Sequence, residues 1–195
     1  MPVPAWVEAC YCDRMITRTL TAIAAFALFV PVLARAELPQ GAKAPAFTAP
    51  GALAGKEFTF DLQAALKRGP VVLYFYPKAF TQGCTLEAHA FAEASDKFAK
   101  AGATVIGMSN DDIPTLKKFS TEECRDKFAV ASASKAVIKA YQVDLKAVGI
   151  STGLTKRTSY VISKAGKIVM VHSEMDYRDH VKLTLAAVQK MHGPG

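Results

Sequence analysis

The chain has 195 residues, of which 51% are hydrophobic and 21% charged, and its formal net charge is +7. This balance is typical of one folded domain and excludes an intrinsically disordered chain. A positive charge also fits a nucleic-acid or membrane surface, but the lysines occur singly, without interleaved aromatic residues. We therefore expect a solvated basic surface and no nucleic-acid partner.

An uncharged segment near the start of the chain sets residues 1–36 apart. Residues 19–34 follow Arg14 and Arg18, and they lead into Ala34-Arg35-Ala36, a small-x-small pattern typical of a cleavage site. We interpret residues 1–36 as a secretory signal peptide that is cleaved on export. Met15 is an alternative true start, since the residues before it lack the character of a signal-peptide n-region.

A membrane anchor is the rival interpretation of the same segment. The apolar run falls short of the roughly 20 residues that span a bilayer, and it contains Pro31. We therefore expect an exported, periplasmic domain over residues 37–195 that makes no membrane contact after cleavage. Cys10 and Cys12 would leave with the leader.

Hydrophobic patterning predicts the elements in the first part of this domain. The Pro- and Gly-rich residues 37–55 indicate an extended arm over the domain, and residues 56–60 a short strand. Residues 71–76 (VVLYFY) are continuously apolar, which is typical of a central strand covered on both faces. From Cys84 onward, apolar residues recur at helical spacing until Gly102, where the helix ends.

The second part of the domain alternates in the same way. Residues 103–108 indicate a buried strand, and a helix opens at Asp111-Asp112-Ile113-Pro114 and fades near Cys124. The remaining predicted elements are a strand at 128–131, a helix at 133–141, a hairpin of strands 158–162 and 168–172, and a helix at 177–191. This order predicts an α/β, thioredoxin-like fold with a central mixed β-sheet and helices on both faces.

Cys84 lies at the start of a predicted helix, where unpaired backbone N–H groups stabilise a thiolate. A helix terminus contributes only about 0.3 to 1 kcal/mol, whereas lowering a thiol pKa by one unit requires about 1.4 kcal/mol. Further groups are therefore needed. We expect the Thr81 hydroxyl to donate into this space, Gly83 to admit a small substrate, and Arg157 to supply the cation. The rival interpretation of Arg157 is a pair with a surface acid.

The pattern Pro77-x-x-x-Thr81-x-x-Cys84 resembles the active-site signature of the peroxiredoxins. The stretch YFYPKAFTQGCTLEA is most similar to the bacterioferritin comigratory protein or peroxiredoxin Q branch, and the similarity covers about residues 41–191. The resemblance implies that Cys84 is the peroxidatic cysteine, that Thr81 and Arg157 activate it, and that Pro77 shapes its pocket. Glu87 also occupies a position where this branch often has glutamate.

Two residues depart from the pattern of that branch. Gln82 stands where a proline is common, and His89 stands where many members carry a resolving cysteine. Cys124 is the substitute, since some members use a resolving cysteine on the helix after the second core strand. Both cysteines lie at predicted helix ends, so we expect local unwinding before they bond. The alternative is that Cys124 is a small buried residue in a one-cysteine enzyme.

The resemblance implies a thioredoxin-dependent peroxiredoxin, a thiol peroxidase that reduces hydrogen peroxide and organic hydroperoxides. Cys84 would become a sulfenic acid, and thioredoxin or a periplasmic dithiol would reduce the resulting disulfide. The resemblance also implies a monomer without cofactors. The four histidines lack metal-ligand spacing, so no metal is expected.

Other functional classes on the same fold remain as alternatives. A disulfide oxidoreductase would need Cys-x-x-Cys, but Glu87 occupies the second cysteine position. A glutathione-peroxidase-like enzyme would use a tryptophan, and the exported domain has none. A non-catalytic thioredoxin-like redox module or chaperone would show no peroxidase activity.

Overall fold

The computed structural model describes residues 37–192, which fold around one mixed β-sheet. The signal-peptide prediction, with Cys10, Cys12 and Met15, lies outside the described residues. The strands of the sheet are β1 (Thr48–Leu53), β2 (Lys56–Asp61), β3 (Val71–Phe75), β4 (Thr104–Ser109), β5 (Ala129–Ser132), β8 (Thr158–Ile162) and β9 (Ile168–Ser173). A separate hairpin consists of β6 (Asp144–Ala147) and β7 (Ile150–Thr155). The helices are α1 (Leu62–Arg68), α2 (Gln82–Lys100), α3 (Ile113–Glu122), α4 (Lys135–Ala140) and α5 (His180–His192).

The seven strands described for the sheet run in the order β2-β1-β5-β4-β3-β8-β9. Strand β3 pairs parallel to β4 and antiparallel to β8, and β4 pairs parallel to β5. All five residues of β3 are buried, as expected for a strand with helices on both faces. The predicted α/β thioredoxin-like architecture is therefore confirmed, and so are the central strand and the hairpin of β8 and β9.

Two core clusters cover the two faces of the sheet. Side chains alternate along a strand, so Leu73 and Phe75 of β3 belong to one cluster and Val72 and Tyr74 to the other. The second cluster also contains Cys84 and Cys124, together with the aromatic residues of α2 and α3 that pack beneath them. The fold therefore brings both cysteines to the same face of the sheet.

Local capping explains why the helices begin where they do. The Asp112 carboxylate accepts a hydrogen bond from the Thr115 N–H at 2.9 Å, and Pro114 lies in the first turn of α3. The Asp61 carboxylate caps α1 in the same way, through the N–H groups of Gln63 and Ala64. Over residues 37–192, no helix has both the length and the apolar character that crossing a membrane requires.

The structure differs from the sequence prediction over residues 37–55. Part of this segment is not an arm but strand β1, which pairs with β2 on one side and with β5 on the other. Gly51 permits this pairing, because a Cβ there would lie 2.8 Å from the carbonyl oxygen of Val130. Helix α1 and the hairpin of β6 and β7 were also absent from the prediction.

Gly107 on β4 provides a test of the packing on the cysteine-bearing face. A Cβ at this position would lie 2.8 Å from both Cζ and the hydroxyl oxygen of Tyr74, whose ring stacks on Phe91 at a centroid distance of 4.3 Å. We expect Gly107→Ala to lower the free energy of unfolding by about 1 to 3 kcal/mol, because the held ring cannot move aside. Urea unfolding measures this, and the substitution should cost less in a Tyr74→Phe background. An unchanged stability would contradict the tight contact.

Candidate active site

The loop between β3 and α2 places Cys84 at the third position of the helix. Its side chain is only 2% exposed. The Thr155 hydroxyl donates to the Tyr76 carbonyl at 2.6 Å, and the Ala79 N–H donates to the Asp111 carboxylate at 2.8 Å, so the start and the middle of the loop are bonded to neighbouring segments. Phe80, within this loop, adopts a φ of 61°, which is unusual for a residue with a side chain.

Arg157, between β7 and β8, approaches Cys84 from the neighbouring strand, because the start of β8 pairs with the end of β3. Its Nη2 lies 3.5 Å from Sγ of Cys84, its Nη1 donates to the Glu87 carboxylate, and its Nε donates to the Met175 carbonyl at 2.9 Å. The side chain is 4% exposed. The alternative of a surface ion pair is therefore wrong, since the acid that pairs with Arg157 is buried beside the cysteine.

Gly83 and Thr81 occupy the start of the helix in different roles from those expected. A Cβ at Gly83 would lie 3.2 Å from Nη2 of Arg157, so this glycine leaves room for the guanidinium. Thr81 is the N-cap of α2, and its hydroxyl donates to the Lys78 carbonyl at 2.9 Å rather than to Cys84. Pro77 lies two residues after the end of β3, at the start of the loop.

Glu87 lies one turn after Cys84 and is fully buried. Burial raises the pKa of Glu87 to about 8, although the Arg157 guanidinium opposes this rise. The Nδ1 atom of His180 lies 3.7 Å from Oε1 of Glu87. His180 also contacts the Ser159 hydroxyl at 2.8 Å. Sequence patterns did not identify Ser159 or His180. The signal that could have pointed to them was a serine within a wholly buried strand.

Cys124 follows the C-cap of α3 and is fully buried. Burial raises the pKa of the Cys124 thiol well above its usual value, so this cysteine stays protonated. The next two residues, Arg125 and Asp126, adopt φ angles of 52° and 59°. His89 on α2 contacts the Glu123 carboxylate at 2.6 Å, directly before Cys124. Both cysteines are free thiols, so the structure represents the reduced protein.

The geometry is that of a buried thiol beside a guanidinium, at a helix start. The family model described as AhpC/TSA matches residues 40–171. This chain belongs to the AhpC/TSA family. It is similar to the chloroplastic peroxiredoxin Q of Suaeda salsa, with 32% identity over 80% of this chain and 70% of the relative.

Solved structures give the same result. The crystal structure of peroxidoxin BcpB from Mycobacterium tuberculosis superposes with a TM-score of 0.70 at 31% identity, covering 79% of this chain and 98% of that one. A structure of Xanthomonas campestris peroxiredoxin Q gives 0.64 at 28% identity, covering 74% and 91%. These comparisons confirm the predicted peroxiredoxin branch and the function of a thiol peroxidase.

The described residues also bear on metal binding. Within residues 37–192, no group of three or more His, Cys, Asp or Glu side chains is arranged to hold a metal ion. His89 and His180 are instead engaged with Glu123 and with Ser159 and the Glu174 carbonyl.

The buried Glu87 carboxyl makes the stability of the protein depend on pH. Its pKa is about 8 in the folded protein against 4.5 for the free group, so the folded state retains the proton and loses stability as pH rises towards 8. The pKa of His180 is lowered to about 4, so His180 contributes to the pH dependence of stability only below about pH 6.5. Between pH 6.5 and 8, we expect the free energy of unfolding of the protein with Glu87 to decline by an amount on the order of 1 kcal/mol. We expect Glu87→Gln to remove this decline.

Urea unfolding at pH 6.5 and 8 checks this expectation. Both proteins should carry Cys84→Ser, so that the comparison reports on position 87 without the neighbouring thiol. Parallel pH profiles for the two proteins would show that Glu87 stays ionised throughout, held by Arg157.

Proposed function

We propose that Cys84 is the peroxidatic cysteine and that Arg157 is its activating cation. The contact between Nη2 of Arg157 and Sγ of Cys84 carries this proposal, because a buried guanidinium stabilises a thiolate far better than a solvated one. The thiolate attacks one oxygen of a hydroperoxide, the O–O bond breaks, and Cys84 becomes a sulfenic acid. The leaving alkoxide or hydroxide takes up a proton and departs as an alcohol or as water.

Thr81 and Pro77 complete the proposed pocket. The N-cap position of Thr81 keeps its hydroxyl oxygen near the helix start, where its proton can turn from the Lys78 carbonyl towards a bound peroxide. Pro77 fixes the backbone between β3 and the loop, since its ring restricts φ. The substrates under this proposal are hydrogen peroxide and organic hydroperoxides.

We further propose that Cys124 is the resolving cysteine. Its thiol condenses with the Cys84 sulfenic acid, which forms a disulfide and releases water; a dithiol such as thioredoxin then reduces the disulfide. Burial of both cysteines and the helical backbone at Cys84 require local unwinding first. Two consecutive residues with positive φ directly after Cys124 favour unwinding there, because extension relieves their strain.

The apolar segment before the domain supports the proposal that the protein is exported to the periplasm. In that compartment, the reductant would be a periplasmic dithiol protein of the thioredoxin kind. We also propose that the domain acts as a monomer. Size-exclusion chromatography with light scattering tests the monomer, and N-terminal sequencing of protein from the periplasmic fraction tests cleavage after Ala36.

Substitution of Cys84 tests the proposed chemistry directly. We expect Cys84→Ser to abolish peroxide consumption in the presence of dithiothreitol, because the alcohol is not ionised at neutral pH. Arg157→Lys should retain a charge but lose the fork that contacts three groups at once, and it should reduce the rate at least tenfold, which is about 1.4 kcal/mol. Cys124→Ser is the matched control for loss of a buried thiol. Peroxide consumption that survives in Cys84→Ser would refute the assignment.

The ion pair between His89 and Glu123 restrains the segment that carries Cys124. We expect His89→Ala to accelerate disulfide formation about two- to fivefold, because a partly exposed ion pair of this kind contributes up to about 1 kcal/mol to holding the segment closed. Quenched-flow alkylation and intact mass measure the rate after one equivalent of peroxide. The amide of His89→Gln can still donate to Glu123. Its rate of disulfide formation should therefore lie between those of His89→Ala and the unsubstituted protein.

Two results distinguish the alternatives for Cys124, and a third tests the role of His89. No crosslink in the unsubstituted protein would make it a one-cysteine peroxidase. A crosslink that persists in Cys124→Ser would assign the bond to other residues. Equal crosslinking rates in His89→Ala and the unsubstituted protein would show that the ion pair does not limit unwinding.

A further inference from the structure

A buried layer of polar groups lies behind Arg157, away from Cys84. His180, the first residue of α5, is fully buried and contacts groups from three other parts of the chain. Its Nε2 lies 3.0 Å from the Glu174 carbonyl oxygen, and its Nδ1 lies 2.8 Å from the Ser159 hydroxyl. The same Nδ1 lies 3.7 Å from Glu87.

These contacts fix the tautomer of the ring. A carbonyl oxygen only accepts, so Nε2 must carry the proton that it donates to Glu174. In the neutral ring, Nδ1 then accepts from the Ser159 hydroxyl. Burial, the neighbouring His172 and then Arg157 lower the pKa of His180 to about 4, so the ring is neutral at pH 7 and adds no charge beside the guanidinium.

The bond to Glu174 matters because of the residue that follows it. The carbonyl of Met175 accepts the Nε–H of Arg157, so it is one of the two oxygen acceptors, with Glu87, that orient the guanidinium. Met175 itself is 53% exposed and lies in the loop between β9 and α5. An exposed loop of this kind does not hold a carbonyl in place by its own packing.

We propose that His180 is a positioning residue for the peroxidatic centre: its Nε2–H anchors the Glu174 carbonyl, and this holds the Met175 carbonyl against Arg157. The proposal rests on the proposed roles of Cys84 and Arg157. His180 touches neither sulfur nor substrate. It connects α5 to the guanidinium through two hydrogen bonds, one from His180 to the Glu174 carbonyl and one from Arg157 to the Met175 carbonyl. It also lies beside Glu87, the second group that orients Arg157.

Three substitutions separate the two nitrogen atoms of the ring. The amide of His180→Gln reaches the position of Nε2 and can donate to Glu174, whereas that of His180→Asn reaches only the position of Nδ1. His180→Phe retains the shape of the ring and loses both bonds. We expect the rate constant of Cys84 oxidation to fall about tenfold or more in His180→Asn and His180→Phe, and less than about threefold in His180→Gln.

A second readout reports on the thiolate rather than on folding. The pH profile of Cys84 alkylation by iodoacetamide should move to higher pH in His180→Asn and His180→Phe, and should stay unchanged in His180→Gln. His172→Phe is the matched control, because this neighbouring imidazole packs edge-on against His180 at 4.6 Å without contacting Arg157. It should leave both readouts unchanged.

The outcomes are distinct from failure of the proposed function. If the unsubstituted protein consumes no peroxide, or if Cys84→Ser remains active, the peroxidase assignment fails. If that assignment holds but His180→Asn matches the unsubstituted protein in rate and alkylation profile, the positioning role is refuted. A His180→Gln as slow as His180→Asn would also refute it. Should His180→Phe not fold, as thermal unfolding would reveal, the comparison of Asn with Gln decides.

Discussion

The site depends on one buried cation, the guanidinium of Arg157. A charge removed from water is tolerated only when it is paired and fully hydrogen-bonded. Arg157 meets this condition with three different acceptors: a thiol sulfur, a carboxylate and a backbone carbonyl. The Glu87 carboxyl group and the Met175 carbonyl accept hydrogen bonds from the guanidinium whether or not Cys84 is ionised, and a thiolate at Cys84 would share the positive charge. The guanidinium is therefore satisfied in both states, and its position does not need to change when the sulfur loses its proton.

The sheet explains how residues distant in sequence reach this cation. Cys84 and Glu87 come from the helix after β3, and Arg157 directly precedes β8, which pairs with β3. Because β8 runs antiparallel to β3, the start of β8 lies beside the end of β3, where the catalytic loop begins. Phe75 is paired with Thr158 at this point. The register between these two strands thus sets the distance between the sulfur and the guanidinium.

Much of the fold followed from local sequence signals, and the failures had specific causes. The run Val71 to Phe75 and the helical spacing after Cys84 were unambiguous, because both are long and strongly patterned. Strand β1 was missed since Pro50 and Gly51 indicate a loop, and only pairing with β5 makes their conformation favourable. The seven-residue helix α1 was missed because it follows β2 without a turn.

The candidate site shows the same division between local pattern and tertiary contact. Pro77, Thr81 and Cys84 form a spaced motif, so the sequence itself and its resemblance to peroxiredoxins identified them. Arg157 was found from its place before a buried strand. Ser159 and His180 escaped detection, because a serine and a histidine 21 positions apart carry no joint pattern until the fold brings them together. A buried serine on a central strand was the one indication, since its hydroxyl needs a partner.

The two cysteines lie in different environments, and this difference gives the proposed reaction its order. Cys84 lies beside a cation at a helix start, whereas burial and the nearby acids Glu123 and Asp126 hold the Cys124 thiol protonated. A protonated, buried thiol does not compete for peroxide. It becomes reactive only when its segment unwinds, and the pair of His89 with Glu123 opposes that unwinding. In the proposed reaction, Cys84 therefore reacts with peroxide first, and resolution by Cys124 follows once its segment unwinds.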